Sequence, residues 1–295
     1  MYRDPVIANT IAESEDWWGW RHLTLHALMA LSALGSKPRY YLEFVSLIDT
    51  ASKARNWLSS LDWGARTSFT SNTVQNFCAA MQYARDFQGA DHLEAPVKEI
   101  LAGLRERCCP ATGLWGNGID DPRAALSEGV QAGYHFWLLF WYDRMDVPFP
   151  EKAFDSILRL QNRLGGFGLT HVNTSACQDI DGLDPLVRLA FSLKKEEQIH
   201  ATVRRSLEWI ASNFNDDGGA VFQRYASFVY GHELMSSKPN ESTLFSTWFR
   251  LLSIAIGCQL VKTVDPTFAG IHWDFVEAPG LQFDPLRHLG KKEEK

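Results

Sequence analysis

Gly165-Gly166-Phe167-Gly168 is the clearest of four short aromatic turns that recur along this chain of 295 residues. The other three turns are Asp62-Trp63-Gly64, Gly113-Leu114-Trp115-Gly116 and Gly218-Gly219-Ala220-Val221-Phe222. From ring to ring, the four turns lie 52, 52 and 55 residues apart. A period of about 50 residues is typical of an array of supersecondary units that bury their apolar faces only against one another.

The segments between the turns have the periodicity of helices rather than of strands. Val130, Tyr134, Trp137, Leu138 and Trp141, for example, fall on one face of a helix. The pattern predicts helix pairs at 17–34 with 39–60, 70–88 with 92–107, 123–145 with 149–162 and 184–194 with 197–213, followed by a helix at 242–261.

Two of these predicted helices are apolar on nearly every face, at 134–142 and 244–256. Such helices are buried on both sides, which favours a ring of hairpins with inner and outer helices over an open solenoid. We therefore expect an all-α fold, an α/α toroid. It would be a single domain over 1–262, with 263–295 as a C-terminal extension that wraps around it or is partly disordered.

Composition excludes some classes of function. The net charge is −6 and the Lys and Arg residues are scattered, so nucleic acid is not an expected partner. The run 291–295 has the character of a solvated tail. Asp4, Glu13, Glu15 and Asp16 stand where an export signal would be basic and then apolar.

Cysteine content and apolar run lengths also bear on location. The five cysteines are an odd number without the spacing of a disulfide framework. The longest apolar stretches, 23–34 and 251–261, are too short to span a bilayer and are expected to be buried helices. We therefore expect a cytoplasmic protein.

Local signals mark several helix starts. Asp91 with Glu94 three residues later has the spacing of a capping box. Proline follows Phe149 and Asp184, which predicts a first turn at Pro150 and at Pro185, with Asp184 as an N-cap.

The third turn carries a family resemblance. Ile157-x3-Gln161-x3-Gly165-Gly166-Phe167-Gly168 resembles the Gln/Gly/aromatic repeat of terpenoid cyclases, of the squalene-hopene cyclase type, and of protein prenyltransferase β-subunits. In those families the repeat ties the outer helix of one hairpin to the next. Weaker copies have Arg105 and Asn213 in the place of Gln161. We expect the Gln161 side chain to pair with free backbone groups at a helix end.

A second resemblance concerns chemistry. Gln178-Asp179-Ile180-Asp181-Gly182-Leu183-Asp184-Pro185 is similar to the acid motif Asp-x-Asp-Asp-Thr-Ala of class II terpene cyclases. The resemblance implies that Asp181 donates a proton to an alkene or epoxide, with Asp179 as its partner. Gly182 stands where the family has its third aspartate. Asp184, three residues after Asp181 on the same helical face, is a substitute.

The resemblance also implies a substrate cavity with aromatic walls that stabilise carbocations. The side chains expected to bind substrate there are His135, Tyr134, Trp137, Trp141, His232, Phe245, Trp248, Gln178 and Cys177.

The prenyltransferase branch of the superfamily requires a zinc ion held by Asp, Cys and His. Here Cys177-x-Asp179 reverses the order of the family motif, and Ser246 stands where the histidine is expected. We therefore predict no metal and no cofactor, with Mg²⁺ needed only if the substrate is a diphosphate.

Three hypotheses for function remain open from the sequence. The first is a class II cyclase-like enzyme acting on a small hydrophobic substrate, which would allow peripheral membrane contact. The second is a carbohydrate-active toroid, a hydrolase or lyase, with Asp179, Asp181, His135 and His232 as its catalytic pool. The third is a non-catalytic binding toroid, for which Gly182 is the best argument. A dry enclosed cavity would favour the first and a polar open cleft the second. The sequence leaves the substrate and the oligomeric state open.

Overall fold

Helices dominate the structure. The computed structural model describes residues 1–12, 17–170, 173–268, 270 and 272–289. About 59% of the chain is helical and 3% is in strands, which confirms the all-α class. Of the charged residues discussed above, Glu13, Glu15, Asp16 and the run 291–295 lie outside the described residues.

The α-helices are α1 (Pro5–Ala8), α2 (Gly19–Ala33), α3 (Ala51–Ser60), α4 (Thr67–Phe87), α5 (Glu94–Arg107), α6 (Pro122–Tyr142), α7 (Pro150–Leu160), α8 (Ala176–Leu193), α9 (Glu196–Ala211) and α10 (Leu244–Val264). Short 3-10 helices lie at Glu43–Ile48, Asp91–Leu93, Pro266–Phe268 and Arg287–Leu289.

Between α9 and α10 the chain forms two small antiparallel sheets. Their strands are β1 (Ala220–Val221), β2 (Phe228–Val229), β3 (Ser236–Ser237) and β4 (Ser242–Thr243). β1 pairs with β4, with Ala220 opposite Thr243, and β2 pairs with β3, with Phe228 opposite Ser237. The β1–β4 pair closes the base of this chain segment, the β2–β3 excursion, and β2 and β3 form its tip.

The even-numbered helices pack on one another in chain order. Helix α2 contacts α4, α4 contacts α6, α6 contacts α8, and α8 contacts α10. The first and last of them also meet, because the His26 ring of α2 lies 5.0 Å from the Trp248 ring of α10, edge to face. Each of these helices therefore has two even-numbered neighbours.

Helices α5, α7 and α9 pack against this series: α5 on α4 and α6, α7 on α6 and α8, and α9 on α8 and α10. Helix α3 packs on α5. Helix α9 buries Ile199, Val203, Ser206 and Ile210, one residue per turn, and leaves its charged residues outside. In contrast, α6 and α8 bury residues on every side in their middle turns.

Helix α10 is long and apolar enough to cross a bilayer, the one such helix among the described residues. In the folded chain 67% of its most apolar window is buried. Helix α10 packs against α8 and α9, and this burial accounts for its apolar composition.

The Gln161 side chain links two hairpins as expected. Its Nε2 donates to the carbonyl oxygen of Thr202 at 3.0 Å and to Ser206 Oγ at 2.8 Å, both on α9. The two weaker copies differ, because Arg105 donates to the carbonyl oxygen of Asp146 and Asn213 to that of Trp209 in its own helix. Only the best copy of the repeat therefore makes the Gln-mediated link between successive hairpins.

Several predicted helix starts are wrong. Helix α8 begins at Ala176 rather than near Asp184, because Ser175 and Gln178 form a capping box. Pro185 is consequently inside the helix, and its missing N–H leaves the carbonyl of Asp181 without the usual helical donor. Asp184 is therefore a mid-helix residue and not an N-cap.

Two smaller differences lie in the first half of the chain. Asp91 opens a 3-10 turn instead of capping α5, whose N-cap residue makes no side-chain hydrogen bond. The predicted helix at 39–60 is divided, since α3 starts after Thr50, whose hydroxyl accepts from the amide of Lys53.

The aromatic turn explains the glycine in the acidic stretch. Phe167 is buried, and its ring lies so close to Gly182 that a β-carbon there would overlap it. The third aspartate of the cyclase motif could not fit at this position without moving the ring. Gly182 is thus part of the contact between turn and helix.

Residues near the C-terminus pack across three even-numbered helices. The amide of Leu281 lies 3.1 Å from Met29 Sδ of α2, and the Phe283 ring is completely buried against Tyr142 of α6. Arg188 of α8 donates to the carbonyl oxygens of this segment at Phe283 and Asp284. Residues 278–283 of the predicted extension therefore pack into the core, whereas the described residues of 263–277 are exposed or half-buried.

We predict that Gly182→Ala lowers the free energy of unfolding by about 1–3 kcal/mol, because the added methyl group overpacks the Phe167 contact. Chemical denaturation would measure this. In a Gly182→Ala background, Phe167→Ala should cost less than it does alone, since the two residues are in contact. A stabilising Gly182→Ala variant with additive energies would contradict the packing described.

Candidate functional site

A cavity of about 490 Å³ lies among the even-numbered helices. All five even-numbered helices contribute residues to its wall. Trp18, Leu61, Leu281 and the tip of the β2–β3 excursion complete it. The lining residues are Trp18, His22, Leu61, Ser68, Phe69, Thr70, Asn72, Thr73, Gln75, Gln131, Tyr134, His135, Cys177, Asp181, Phe228, Val229, Tyr230, Gly231, Phe249 and Leu281.

The cavity has an exposed rim and a buried interior. Phe69 and Val229 are more than half exposed, so they lie at the mouth. Asp181 is 5% exposed and Tyr134 is fully buried, so they lie in the interior. A ligand that reached Asp181 would be separated from bulk water.

Asp179, by contrast, is bound within the protein. Its Oδ1 accepts from the amide of Phe167 at 3.1 Å and from the hydroxyl of Thr174 at 2.6 Å. Its Oδ2 accepts from Trp209 Nε1 at 2.9 Å and from the guanidinium of Arg250. Both charged side chains of this ion pair are buried. The carboxylate of Asp179 therefore has no free position for a substrate.

Asp184 has a similar arrangement one turn later. Arg188 Nε donates to its Oδ1 at 2.6 Å, and both side chains are fully buried. The guanidinium also lies 4.3 Å from the centre of the Phe283 ring. Burial raises the pKa of Asp184, and Arg188 opposes this shift.

Asp181 differs from its two neighbours because no arginine pairs with it among the described residues. Burial raises its pKa well above the usual range, and the charges of Asp179 and Asp184 raise it further. Of the three acids, the one that faces the cavity is therefore the one whose surroundings most favour the protonated form. A protonated carboxyl group in a water-poor site is a general acid.

Three histidines of the neighbouring wall are shifted in the opposite direction. Burial lowers the pKa of His26 and of His135 to about 4. Burial, and then the charges of His26 and His135, lower the pKa of His22. The Nε2 atoms of His22 and His26 lie 3.0 Å apart in one hydrogen bond. At neutral pH the imidazoles of His22 and His135 in the cavity wall are thus neutral.

Four of the residues predicted from the sequence line the cavity: Asp181, Cys177, Tyr134 and His135. Gln178 does not, because it forms the capping box of α8 with Ser175. Of the three predicted catalytic acids, only Asp181 lines the cavity, whereas Asp179 and Asp184 do not.

Apart from Tyr134, the predicted aromatic residues lie outside the lining. Phe245 is behind the wall, with its ring centre 5.3 Å from that of Tyr230 and 4.8 Å from that of Phe249. Trp248 lies beside it, 4.6 Å from Phe249. These two rings support the lining aromatics and do not face the cavity directly.

The remaining predicted positions serve packing. Trp137 lies 6.0 Å from Trp115, the ring of the second turn, and Trp141 lies beneath the Arg188 guanidinium at 5.5 Å. His232 accepts from or donates to Thr10 at 2.7 Å and meets the edge of Trp17. His232 thus fixes the β2–β3 excursion to the N-terminal segment.

Sequence reasoning missed the two arginines that neutralise the acidic helix. Arg250 is a single charge in the apolar run of α10, which is a signal for a buried ion pair. Arg188 stands four residues after Asp184, the spacing of a helical ion pair. The part of the cavity wall formed by α4 was also not predicted. On this helix Asn72 donates to the hydroxyl of Tyr230 at 3.3 Å. Nothing in the local sequence of α4 indicates that face.

We predict that Asp181→Asn stabilises the protein increasingly as pH rises. The pKa of Asp181 is above its ordinary value of 3.8 only in the folded state, so between those two values folding takes up a proton and stability falls as pH rises. Asparagine removes that dependence. Urea denaturation should therefore show little difference at pH 4 and a gain for the variant at pH 8.

The matched control is Asp155→Asn, which changes an exposed carboxylate of α7. That variant should follow the wild type across the same pH range. A constant offset between Asp181→Asn and wild type at every pH would mean that Asp181 titrates normally.

No protein-family model matches this chain, and no curated protein or solved structure shows significant similarity to it. The resemblance to terpenoid cyclases therefore rests on the residues of the turns and of the acidic stretch. The geometry around Asp181 carries the argument for function.

Proposed function

We propose that the protein is an α/α-toroid enzyme that cyclises an uncharged, oxygen-bearing prenyl or terpenoid substrate, with Asp181 as the general acid. The observation that carries the proposal is a single buried carboxyl group without an arginine partner among the described residues that faces a cavity with aromatic walls, while its two acidic neighbours are each paired with an arginine. This is the class II cyclase-like function that the acidic stretch implies.

The toroid is supported by how the even-numbered helices meet. They pack in the order α2, α4, α6, α8, α10, and the ring contact between His26 and Trp248 joins the last to the first. All five contribute to one cavity wall. A closed ring of inner helices gives such a cavity, whereas an open superhelix would leave α2 and α10 apart.

The aromatic side chains of the wall suit a cationic intermediate. Phe69, Phe228, Tyr230 and Phe249 present rings to the cavity, with Trp18 beside them. The faces of such rings attract positive charge, by up to about 2 kcal/mol when water is excluded. The ring of Phe228 is held by a stacked contact with Phe222, so this part of the wall is preorganised.

The proposed reaction conserves protons. Asp181 transfers its proton to an epoxide oxygen, the C–O bond breaks, and the electron pair of a nearby alkene forms the new C–C bond. The resulting carbocation loses a proton to a base or takes up water, and Asp181 regains its proton from solvent. The carboxylate formed in the middle of this cycle lies next to the substrate cation, which compensates its buried charge.

The raised pKa of Asp181 favours an oxygen atom as the group that receives the proton. A weak acid transfers a proton more readily to the lone pair of an epoxide than to a plain alkene. The wall also offers Asn72, Gln75 and Gln131 as hydrogen-bonding groups. Because no Lys or Arg lines the cavity among the described residues, an uncharged substrate fits better than a diphosphate.

Those uncharged polar groups favour one second candidate, a carbohydrate-active enzyme. Amide side chains beside aromatic rings are a common way to bind sugars, and Asp181 could protonate a glycosidic oxygen. The usual glycosidase mechanism needs a second carboxylate near the first. Asp179 and Asp184 are both held by arginine, so the wall of the described residues lacks that second group.

We predict that Asp181→Asn lowers kcat by about 10²–10⁴-fold, the usual contribution of a general acid. The assay incubates wild type and variant with prenyl alcohols and their terminal epoxides, and separately with neutral oligosaccharides. Products are identified by mass spectrometry. Activity of the wild type should be retained at acidic to neutral pH and decline as pH rises through the raised pKa of Asp181.

The Asp155→Asn variant, with an exposed carboxylate removed, should turn over substrate like the wild type. Equal product formation by wild type and Asp181→Asn would show that Asp181 is not the general acid. Cleavage of oligosaccharides with no reaction of epoxides would establish the second candidate. Binding of either class without turnover would identify a non-catalytic toroid.

A further inference from the structure

A serine and a histidine meet across the wall of the cavity. Ser71 is on α4 and is fully buried, and His135 is on α6. The Ser71 Oγ atom lies 2.8 Å from His135 Nδ1 and 2.7 Å from the carbonyl oxygen of Ser68. One hydroxyl group therefore has two neighbours within hydrogen-bond distance.

The chemistry of those neighbours fixes the position of each hydrogen. A carbonyl oxygen can only accept, so the Ser71 hydroxyl must donate to Ser68. If it donated to His135 instead, two oxygen lone pairs would face each other at 2.7 Å with no hydrogen between them. The Ser71 oxygen consequently accepts, and its donor is the Nδ1–H group of His135.

The other nitrogen of the ring then carries a lone pair. Because burial lowers the pKa of His135 to about 4, the ring is neutral at pH 7 and holds one hydrogen. That hydrogen is on Nδ1, so Nε2 is an acceptor. Nδ1 points to Ser71 while the ring lines the cavity, and no described residue is hydrogen-bonded to Nε2. Nε2 is thus available to a ligand.

We propose that His135 Nε2 is the proton acceptor of this site and that Ser71 is the positioning residue that sets its tautomer. This role rests on the proposed cyclisation. A C–H bond next to the carbocation breaks, its electron pair becomes the new C=C bond, and the proton goes to Nε2. The resulting imidazolium still donates from Nδ1 to Ser71, and it returns the added proton to solvent.

The low pKa of His135 suits this step. A base that stays unprotonated above about pH 4 is available throughout the physiological range. The low basicity of His135 is sufficient for this proton transfer, because a C–H group next to a carbocation is very strongly acidic. Asp181 and His135 then form an acid and base whose environments shift their pKa values in opposite directions.

His92 provides a matched control outside the cavity. It is exposed in the 3-10 turn Asp91–Leu93 and does not line the cavity. A His92→Gln variant therefore makes the same change of side chain and leaves both the cavity wall and the Ser71–His135 pair intact.

The first test needs no substrate. Long-range ¹⁵N–¹H correlation spectra of the full-length protein at pH 7, with His135 assigned by its loss in His135→Gln, report which ring nitrogen holds the hydrogen. We expect a neutral ring with hydrogen on Nδ1, and a mixture of tautomers in Ser71→Ala. Hydrogen on Nε2, or an imidazolium, would overturn the acceptor assignment.

The second test compares products from the substrate that wild type converts. In His135→Gln, substrate consumption should stay within about tenfold of wild type, because the acid is intact, while the ratio of alkene to alcohol products falls at least about tenfold. Ser71→Ala should shift the ratio in the same direction, and His92→Gln should leave it unchanged. An unaltered ratio in His135→Gln would overturn the role as base.

The two tests separate the two proposals. If wild type converts none of the substrates, the proposed function and the role of His135 as its base both fail. The spectra would still decide whether Nε2 is an acceptor in the cavity.

Discussion

The buried ion pair between Asp179 and Arg250 joins more parts of this molecule than any other contact described. Through its two oxygen atoms, Asp179 receives hydrogen bonds from the third aromatic turn, from Thr174 before α8, from α9 and from α10. Arg250 also donates to the carbonyl oxygens of Thr174 and Phe222. Breaking a buried pair by removing one partner typically costs about 3–5 kcal/mol. The α6–α7 hairpin with its aromatic turn, the α8–α9 hairpin and helix α10 are therefore fixed relative to one another around this carboxylate.

The same pairing creates a difference among three acids of one helix. Asp179 and Asp184 each receive an arginine, whereas Asp181 faces the cavity and receives none among the described residues. Burial raises the pKa of Asp181, and the negative charges of the Asp179 and Asp184 carboxylates raise it further. The three acids of α8 thus differ chemically because the fold pairs two of them with arginine and leaves Asp181 without such a partner among the described residues.

Much of this arrangement could be predicted from sequence, and the exceptions have physical reasons. The aromatic turns, the helical periods and the link by Gln161 follow from local patterns, and Asp181, Cys177, Tyr134 and His135 were placed correctly at the cavity. The start of α8 was missed because the capping box at Ser175 outweighs the proline signal at Pro185. The partners of the acids were missed because Arg250 lies 71 residues from Asp179, and no local rule connects such positions.

The protonation state of Asp181 is the central claim, and infrared spectroscopy tests it most directly. A protonated carboxyl group absorbs as a C=O stretch that is separate from the carboxylate bands. The difference spectrum between wild type and Asp181→Asn at pH 7 isolates this group. The account predicts a protonated carboxyl band that persists at pH 7 and disappears only at higher pH. A carboxylate signal at pH 7, with titration near the ordinary value for aspartate, would contradict it.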